Sequence, residues 1–456
     1  MLYRLLRWVT RVALRWFYRD VEVSGLERVP LRGPVLLAVN HPNALVDALV
    51  VGHMLPRELV LTAKATLFEQ PLLRMLFRWV KIIPLRRVSD EAKRNPAAVP
   101  DAARNVDAFR AILDALAEGE AVLIFPEGRS HNEPSLARLR TGLARIALQA
   151  RDDRGIGGIA IVPVGLTFER KWKPRTRIFV HVGNPILLDA WRPAGSSDPV
   201  DSLTEDVDAA LRAATLNFSS TEDAERVLGL SRLLAGAFDR ARSLGSPDPP
   251  LASEVEIVRR ILAVERSLPP NAAERASRFL VRLEALRREL VHRRIAVTDV
   301  TISAALVPGA RFGVREGALV AITGPVALWG RINHWIPLML ARWIARRQSR
   351  SPEDPAMYTL VVGLGLVLIA YAVQTAIVAR FAGAWWASAY LLSLPLAATW
   401  DIRFRDRLRR AGKRMRTYFQ YRRDPSLRPR LAKELAWLRD EALAIEDMTE
   451  RELLTR

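Results

Sequence analysis

Cysteine is absent from the chain, which excludes disulfides, thiolate-bound zinc, iron–sulfur clusters and any thiol nucleophile. Histidine is scarce, at six residues; His53, His131, His181, His292 and His334 are scattered and read as structural, so no metal is expected. Acidic side chains are outnumbered, 49 against 69 Lys and Arg, giving a formal charge of +20. No repeat of fixed period is present. An apolar fraction of 50% argues against global disorder, and 456 residues are enough for two or three domains. The positive balance selects partners that carry negative charge: nucleic acid, anionic lipid or a phosphorylated substrate.

The placement of the arginines narrows that choice. Arg4, Arg7, Arg11, Arg15 and Arg19 recur at helical spacing among Leu5, Leu6, Trp8, Val12, Leu14 and Phe17. Residues 1–20 therefore read either as an amphipathic helix on an anionic membrane surface or as one packed on its own domain. Charges interrupt this stretch every turn and no small-residue cleavage site follows, which speaks against a secretory signal. Farther on, 358–378 and 381–400 are uncharged runs separated by Arg380 and flanked by Arg342, Arg346, Arg347 and Arg350 on one side and Arg403 to Arg416 on the other. Each run is just long enough to cross about 30 Å of hydrocarbon. They predict an antiparallel transmembrane hairpin with both flanks, and hence the N-terminal body, facing the cytoplasm. A buried hairpin of a soluble domain is the alternative. Ala318 to Leu340, broken by Arg331, Asn333, His334, Pro325 and Pro337, fits an interfacial segment better than a span. Arginines gathered beside bilayer-length segments favour lipid over nucleic acid, and no nucleic-acid partner is expected.

Between these regions, short β-like runs (35–39, 59–64, 80–85, 121–125, 159–168 and 176–182) alternate with helical stretches, the pattern of an α/β domain over 21–220. Residues 221–310 read as helices only, 311–425 as the membrane region and 426–456 as a helical tail.

Two of the strand ends carry reactive groups. The apolar run 35–39 delivers Asn40, His41 and, six residues after His41, Asp47. Histidine titrates near neutral pH and suits a general base, with Asp47 fixing its tautomer. On one regular helix the two side chains would lie about 120° apart, so they meet only if His41 stands outside the helix. Pro42 favours that arrangement. A satisfied structural pair is the bland alternative. The run 121–125 ends in Pro126, Glu127, Gly128, Arg129 and Ser130, a turn that offers an arginine and backbone amides to a phosphate. Lys81 to Arg87 is a further strand ending in arginine, and Ile161 to Thr167 is apolar.

These four blocks, in this order, resemble the lysophospholipid and glycerol-3-phosphate acyltransferase family over roughly residues 1–220. The matches are Asn40, His41 and Asp47; Ile83, Pro84 and Arg87; Phe125 to Ser130; and Val162 to Gly165. Two departures stand out. Five residues, where the family has four, separate His41 from Asp47, a spacing similar to the fungal-type glycerol-3-phosphate/dihydroxyacetone-phosphate branch, and Lys81 replaces a common glycine. The resemblance implies a glycerol-3-phosphate acyltransferase-like α/β domain, with an N-terminal amphipathic helix, a helical middle section and the C-terminal transmembrane hairpin. It implies catalysis by His41 and Asp47, and substrate binding by Asn40, Arg87, Glu127, Gly128, Arg129 and Ser130. Arg87 and Arg129 would hold the phosphate, and Glu127 would hold Arg129 or a glycerol hydroxyl. The donor is acyl-CoA or acyl carrier protein, with no cofactor. The acceptor is glycerol-3-phosphate, dihydroxyacetone phosphate or lysophosphatidic acid, acylated in phospholipid biosynthesis at the inner membrane. A catalytically silent membrane scaffold on the same fold is the competing expectation.

Overall fold

The structure, a computed structural model, describes residues 2–65, 81–85, 106–171, 173–193, 198–238, 249–348 and 354–455. Two compact units divide the chain: Met1–Phe218 with Ala341–Leu364, and Ser219–Leu340 with Gly365–Arg456.

The first unit is built on one mixed sheet. Its strands are β1 (Asp20–Ser24), β2 (Val35–Val39), β3 (Leu59–Lys64), β4 (Ile82–Leu85), β5 (Ala121–Ile124), β6 (Ala160–Phe168) and β7 (Arg177–Val182), in the spatial order β1-β7-β6-β2-β5-β3-β4, with the short β8 (Ile186–Leu187) paired to β6. Pairing is parallel except at β6–β7 and β6–β8. Strand β2 lies at the centre, with all five of its residues buried. It reads as an unbroken apolar run because both faces of the sheet are covered. Leu36 and Ala38 pack with helices α3 (Val106–Ala117), α4 (Gly142–Asp152) and α5 (Pro199–Ala214) through residues such as Ile112, Ile146 and Leu211. Val35, Leu37 and Val39 pack on the other side with α1 (Leu2–Phe17) and α2 (Leu45–Met54), through Leu14, Phe17, Val46 and Val50. The inner face of α1 is thus packed on its own domain, while Trp8 stays 58% exposed. Ile161, Val162 and Val164 are fully buried within the sheet.

In the second unit, α6 (Thr221–Phe238), α7 (Leu251–Ser267), α8 (Ala273–Arg293) and the tail helix α12 (Leu427–Thr455) share one core around Leu234, Leu283, Leu435 and Leu438. Arg282 pairs with Glu434 at 2.8 Å and Arg275 with Glu441 at 2.5 Å, so the tail is bound to the middle helices. The stretch expected at the interface, 318–340, is part of one continuous helix, α9 (Leu306–Gln348), with Pro325 and Pro337 inside it. Helices α10 (Asp354–Ala382) and α11 (Ala384–Arg423) meet at Gly383, whose φ of 87° breaks the helical path. Among the described residues one helical stretch, the 24-residue Thr359–Ala382, is long and apolar enough to cross a membrane. The expected second span does not meet that condition. Trp385, Trp386, Tyr390, Pro395 and Trp400 dilute its apolar character, and its helix runs on into the arginine-rich 403–423.

Candidate active site

His41 leaves the sheet just beyond β2, before α2 begins at Leu45, and so stands outside the helix that carries Asp47. The residue between, Ala44, adopts φ 47° and ψ −130°, a conformation rarely taken by a residue with a Cβ. This turn absorbs the extra residue between His41 and Asp47. His41 Nδ1 lies 3.0 Å from Asp47 Oδ2, and Asn43 N–H donates to the same oxygen at 2.7 Å. A carboxylate only accepts, so the ring proton belongs on Nδ1 and Nε2 carries the lone pair. His41 Nε2 makes no hydrogen bond to a described residue, and the imidazole stacks on Phe125 with ring centroids 3.8 Å apart. Asp47 is fully buried. Burial pushes its carboxyl above the ordinary range, opposed by the hydrogen bond and charge of His41, the Asn43 N–H and the charge of Lys171.

Strand β5, hydrogen-bonded to β2 with Ala38 opposite Ile124, brings the Glu127–Ser130 turn to the same end of the sheet. Glu127 is buried, and its carboxylate accepts from three sides: His41 N–H at 2.7 Å, Ala137 N–H at 2.9 Å and the His131 ring. Burial alone would push this carboxyl up. The hydrogen bond from His131, the Ala137 N–H, the His131 charge and the His41 N–H outweigh it and hold Glu127 below its ordinary range. His131 N–H in turn donates to the His41 carbonyl at 3.3 Å. Glu127 and His131 therefore fasten the backbone that presents His41.

Glu127, Asn40 and Ser130 each bond a backbone group in the structure. Glu127 does not hold Arg129, which pairs with Glu133 at 2.5 Å and leaves 58% of its side chain exposed. Asn40 bridges β2 to β6, donating to Leu166 O at 3.2 Å and accepting from Leu166 N at 2.7 Å. Ser130 Oγ accepts from Ala44 N–H at 3.0 Å and stabilises the turn before α2. Gly128 holds φ 72°, and a Cβ there would come within 3.3 Å of the Arg140 side chain. Arg87 lies outside the described residues. Lys81, the residue before β4, holds φ 51°, a left-handed conformation that glycine adopts without strain. His131, read from the sequence as structural, has that kind of role here, but its pairing with Glu127 was not foreseen; the available signal was its position four residues after Glu127 in a chain with six histidines. Among the described residues no group of His, Asp or Glu could hold a metal ion.

Comparison with known proteins gives a consistent family. Residues 20–167 match the family model described as Acyltransferase. An uncharacterized acyltransferase of Schizosaccharomyces pombe is 22% identical over 260 residues, 40% of this chain and 38% of that protein. Glycerol-3-phosphate O-acyltransferase 2 of Saccharomyces cerevisiae is 35% identical over 164 residues, 35% of this chain and 21% of that protein. Glycerol-3-phosphate O-acyltransferase 1 of the same yeast is 29% identical over 160 residues, 34% of this chain and 20% of that protein. The chain thus spans less than two-fifths of the length of each of these relatives. A solved structure, the 1-acyl-sn-glycerophosphate (LPA) acyltransferase PlsC from Thermotoga maritima, aligns at 19% identity over 46% of this chain and 78% of that one, with a TM-score of 0.35.

Proposed function

We propose that this chain, which belongs to the acyltransferase family through residues 20–167, moves a fatty acyl group from an acyl thioester to the hydroxyl of a phosphorylated glycerol acceptor at a membrane. The observation that carries the reading is the 3.0 Å His41–Asp47 contact, set beside the turn that bears Arg129. Nε2 of His41 accepts the proton of the acceptor hydroxyl as its oxygen attacks the thioester carbonyl carbon. Asp47 holds the ring in register and stabilises the imidazolium. The tetrahedral intermediate then expels the thiolate, which takes the proton from His41, leaving an ester and a free thiol. Arg129 is a cation available to an anionic acceptor, because an exposed pair such as Arg129–Glu133 is worth at most about 1 kcal/mol and exchanges readily. Glycerol-3-phosphate is the favoured acceptor, since both yeast relatives carry that substrate in their names.

Thr359–Ala382 inserts in the bilayer. At about 1.5 Å per residue its 24 residues reach about 36 Å. The apolar start of α11 returns alongside it, and the arginine-rich flanks stay on the cytoplasmic side. Exposed Ile369, Phe381, Trp385 and Leu392 supply a lipid-facing surface.

The test is a panel in which purified protein in detergent receives one radiolabelled acyl thioester with glycerol-3-phosphate, dihydroxyacetone phosphate, lysophosphatidic acid or unphosphorylated glycerol. Labelled lipid is expected with a phosphorylated acceptor and not with glycerol. Equal labelling of glycerol would contradict the phosphate reading, and no labelling with any acceptor would overturn the enzymatic one.

A further inference from the structure

Behind the His41–Asp47 pair lies a second buried polar cluster. Asn43 is completely buried and Tyr18, the first residue after α1, is 1% exposed. Asn43 Nδ2 donates to the Tyr18 hydroxyl and to the Lys171 carbonyl, each at 3.1 Å, while Asn43 N–H donates to Asp47 Oδ2. Asp47 Oδ1 is buried with no donor among the described residues. Both donors to the carboxylate therefore sit on Oδ2, and the placement of Asn43 is half of what orients it. Tyr18 is itself firmly held. Arg175 donates to the carbonyls of Tyr18 at 2.7 Å and Arg15 at 2.8 Å, fastening the end of α1. At the other end of the same contact, Arg7 donates to the carbonyls of His53, at 3.2 Å, and Leu55, where α2 ends. Helix α1 thus grips both ends of the helix that carries Asp47. The phenol stays protonated, because burial and the charge of Asp47 push it well above its ordinary range.

We propose that Tyr18 is a positioning residue: its hydroxyl holds Asn43, and through Asn43 the Asp47 carboxylate, so that the seating of α1 sets the orientation of the His41–Asp47 pair. The inference rests on the acyltransferase reading for its kinetic consequence and on the network alone for its structural one. Removing the hydroxyl leaves the Asn43 amide held by the Lys171 carbonyl alone, and a displacement of about 1 Å in a reacting group lowers rate by about a hundredfold.

Two variants of the full chain separate this role from simple packing. Tyr18→Phe removes the hydroxyl and keeps the ring. Phe17→Leu trims the ring packed edge-on against Tyr18, with centroids 4.8 Å apart, and removes no polar atom of the network. Tyr18→Phe is expected to lower kcat by about ten- to a hundredfold with KM for donor and acceptor within about twofold, whereas Phe17→Leu keeps kcat and lowers the unfolding temperature. The Nδ1–H proton resonance of His41, read by NMR, is expected to move in Tyr18→Phe and to stay in place in Phe17→Leu. An unmoved resonance with unchanged kcat in Tyr18→Phe overturns the inference, as do equal effects of the two variants. Inactive wild-type protein whose resonance still responds to Tyr18→Phe overturns the acyltransferase reading and supports the positioning one.

Discussion

Glu127→Gln is the most informative single change, because it alters one atom's chemistry at the point where the β5 turn fastens His41. The carboxylate accepts three hydrogen bonds on two oxygens, from His41 N–H, Ala137 N–H and His131. An amide has one acceptor oxygen, so its NH2 group must face a donor on one side. With the oxygen kept toward Ala137 and His131, the His41 N–H loses its partner and meets another donor. A hydrogen bond to a charged group is worth about 1.5–3 kcal/mol, and a loss of about 2–3 kcal/mol at the base corresponds to a fall in kcat of about 30- to 150-fold. The stability effect carries a pH signature. Glu127 is held below its ordinary value of 4.5, so its contribution to folding is present above that value and is lost as pH falls through the depressed one. The stability gap between wild type and Glu127→Gln should therefore narrow on acidification below about pH 4. Steady-state acyl transfer and chemical denaturation at several pH values measure both. Wild-type kcat in Glu127→Gln, or a gap that widens in acid, would refute the assignment of Glu127 as the fastener of His41.

Asp47→Asn should lower kcat by about a thousand- to ten-thousandfold while leaving the unfolding temperature at or above wild type at neutral pH. The folded-state carboxyl is raised by burial, so its stabilising protonated form is lost as pH rises through that raised value, and an amide avoids the cost; a clearly lower unfolding temperature would contradict this. Gly128→Ala forces a Cβ into a φ of 72° and toward Arg140, at about 1–2 kcal/mol; calorimetry should show a drop of a few degrees, and none would mean that the turn relaxes freely. Membrane fractions should retain the protein through high salt and alkaline wash and release it only to detergent; release by salt alone would reduce the association to surface charge.

The central strands were legible from composition. Val35–Val39 and Leu59–Lys64 have the bounds expected from the sequence, and β5, β6 and β7 differ by one residue at an end, because apolar runs closed by turn residues encode a sheet covered on both faces. Strand β1 escaped notice. Asp20–Ser24 is short and partly polar, and it forms by pairing with β7, more than 150 residues away in the chain. The site was legible in its residue types and less so in its partners. His41 and Asp47 meet because Ala44 takes an unusual turn, which no propensity of alanine announces. Glu127, Asn40 and Ser130 sit where polar groups could face a ligand, and each is instead satisfied by a backbone group from a different segment. Such long-range pairings depend on the order of strands in the sheet and not on local spacing. The tail helix likewise joins the middle helices through Leu431, Leu435 and Leu438, a docking invisible in either segment alone.

The most direct measurement compares purified wild type with His41→Ala, both folded by circular dichroism, for transfer of a labelled acyl group from its thioester to glycerol-3-phosphate. Removal of the general base should leave kcat lower by about a hundred- to ten-thousandfold with the thioester still bound. Undiminished transfer by His41→Ala would contradict the account.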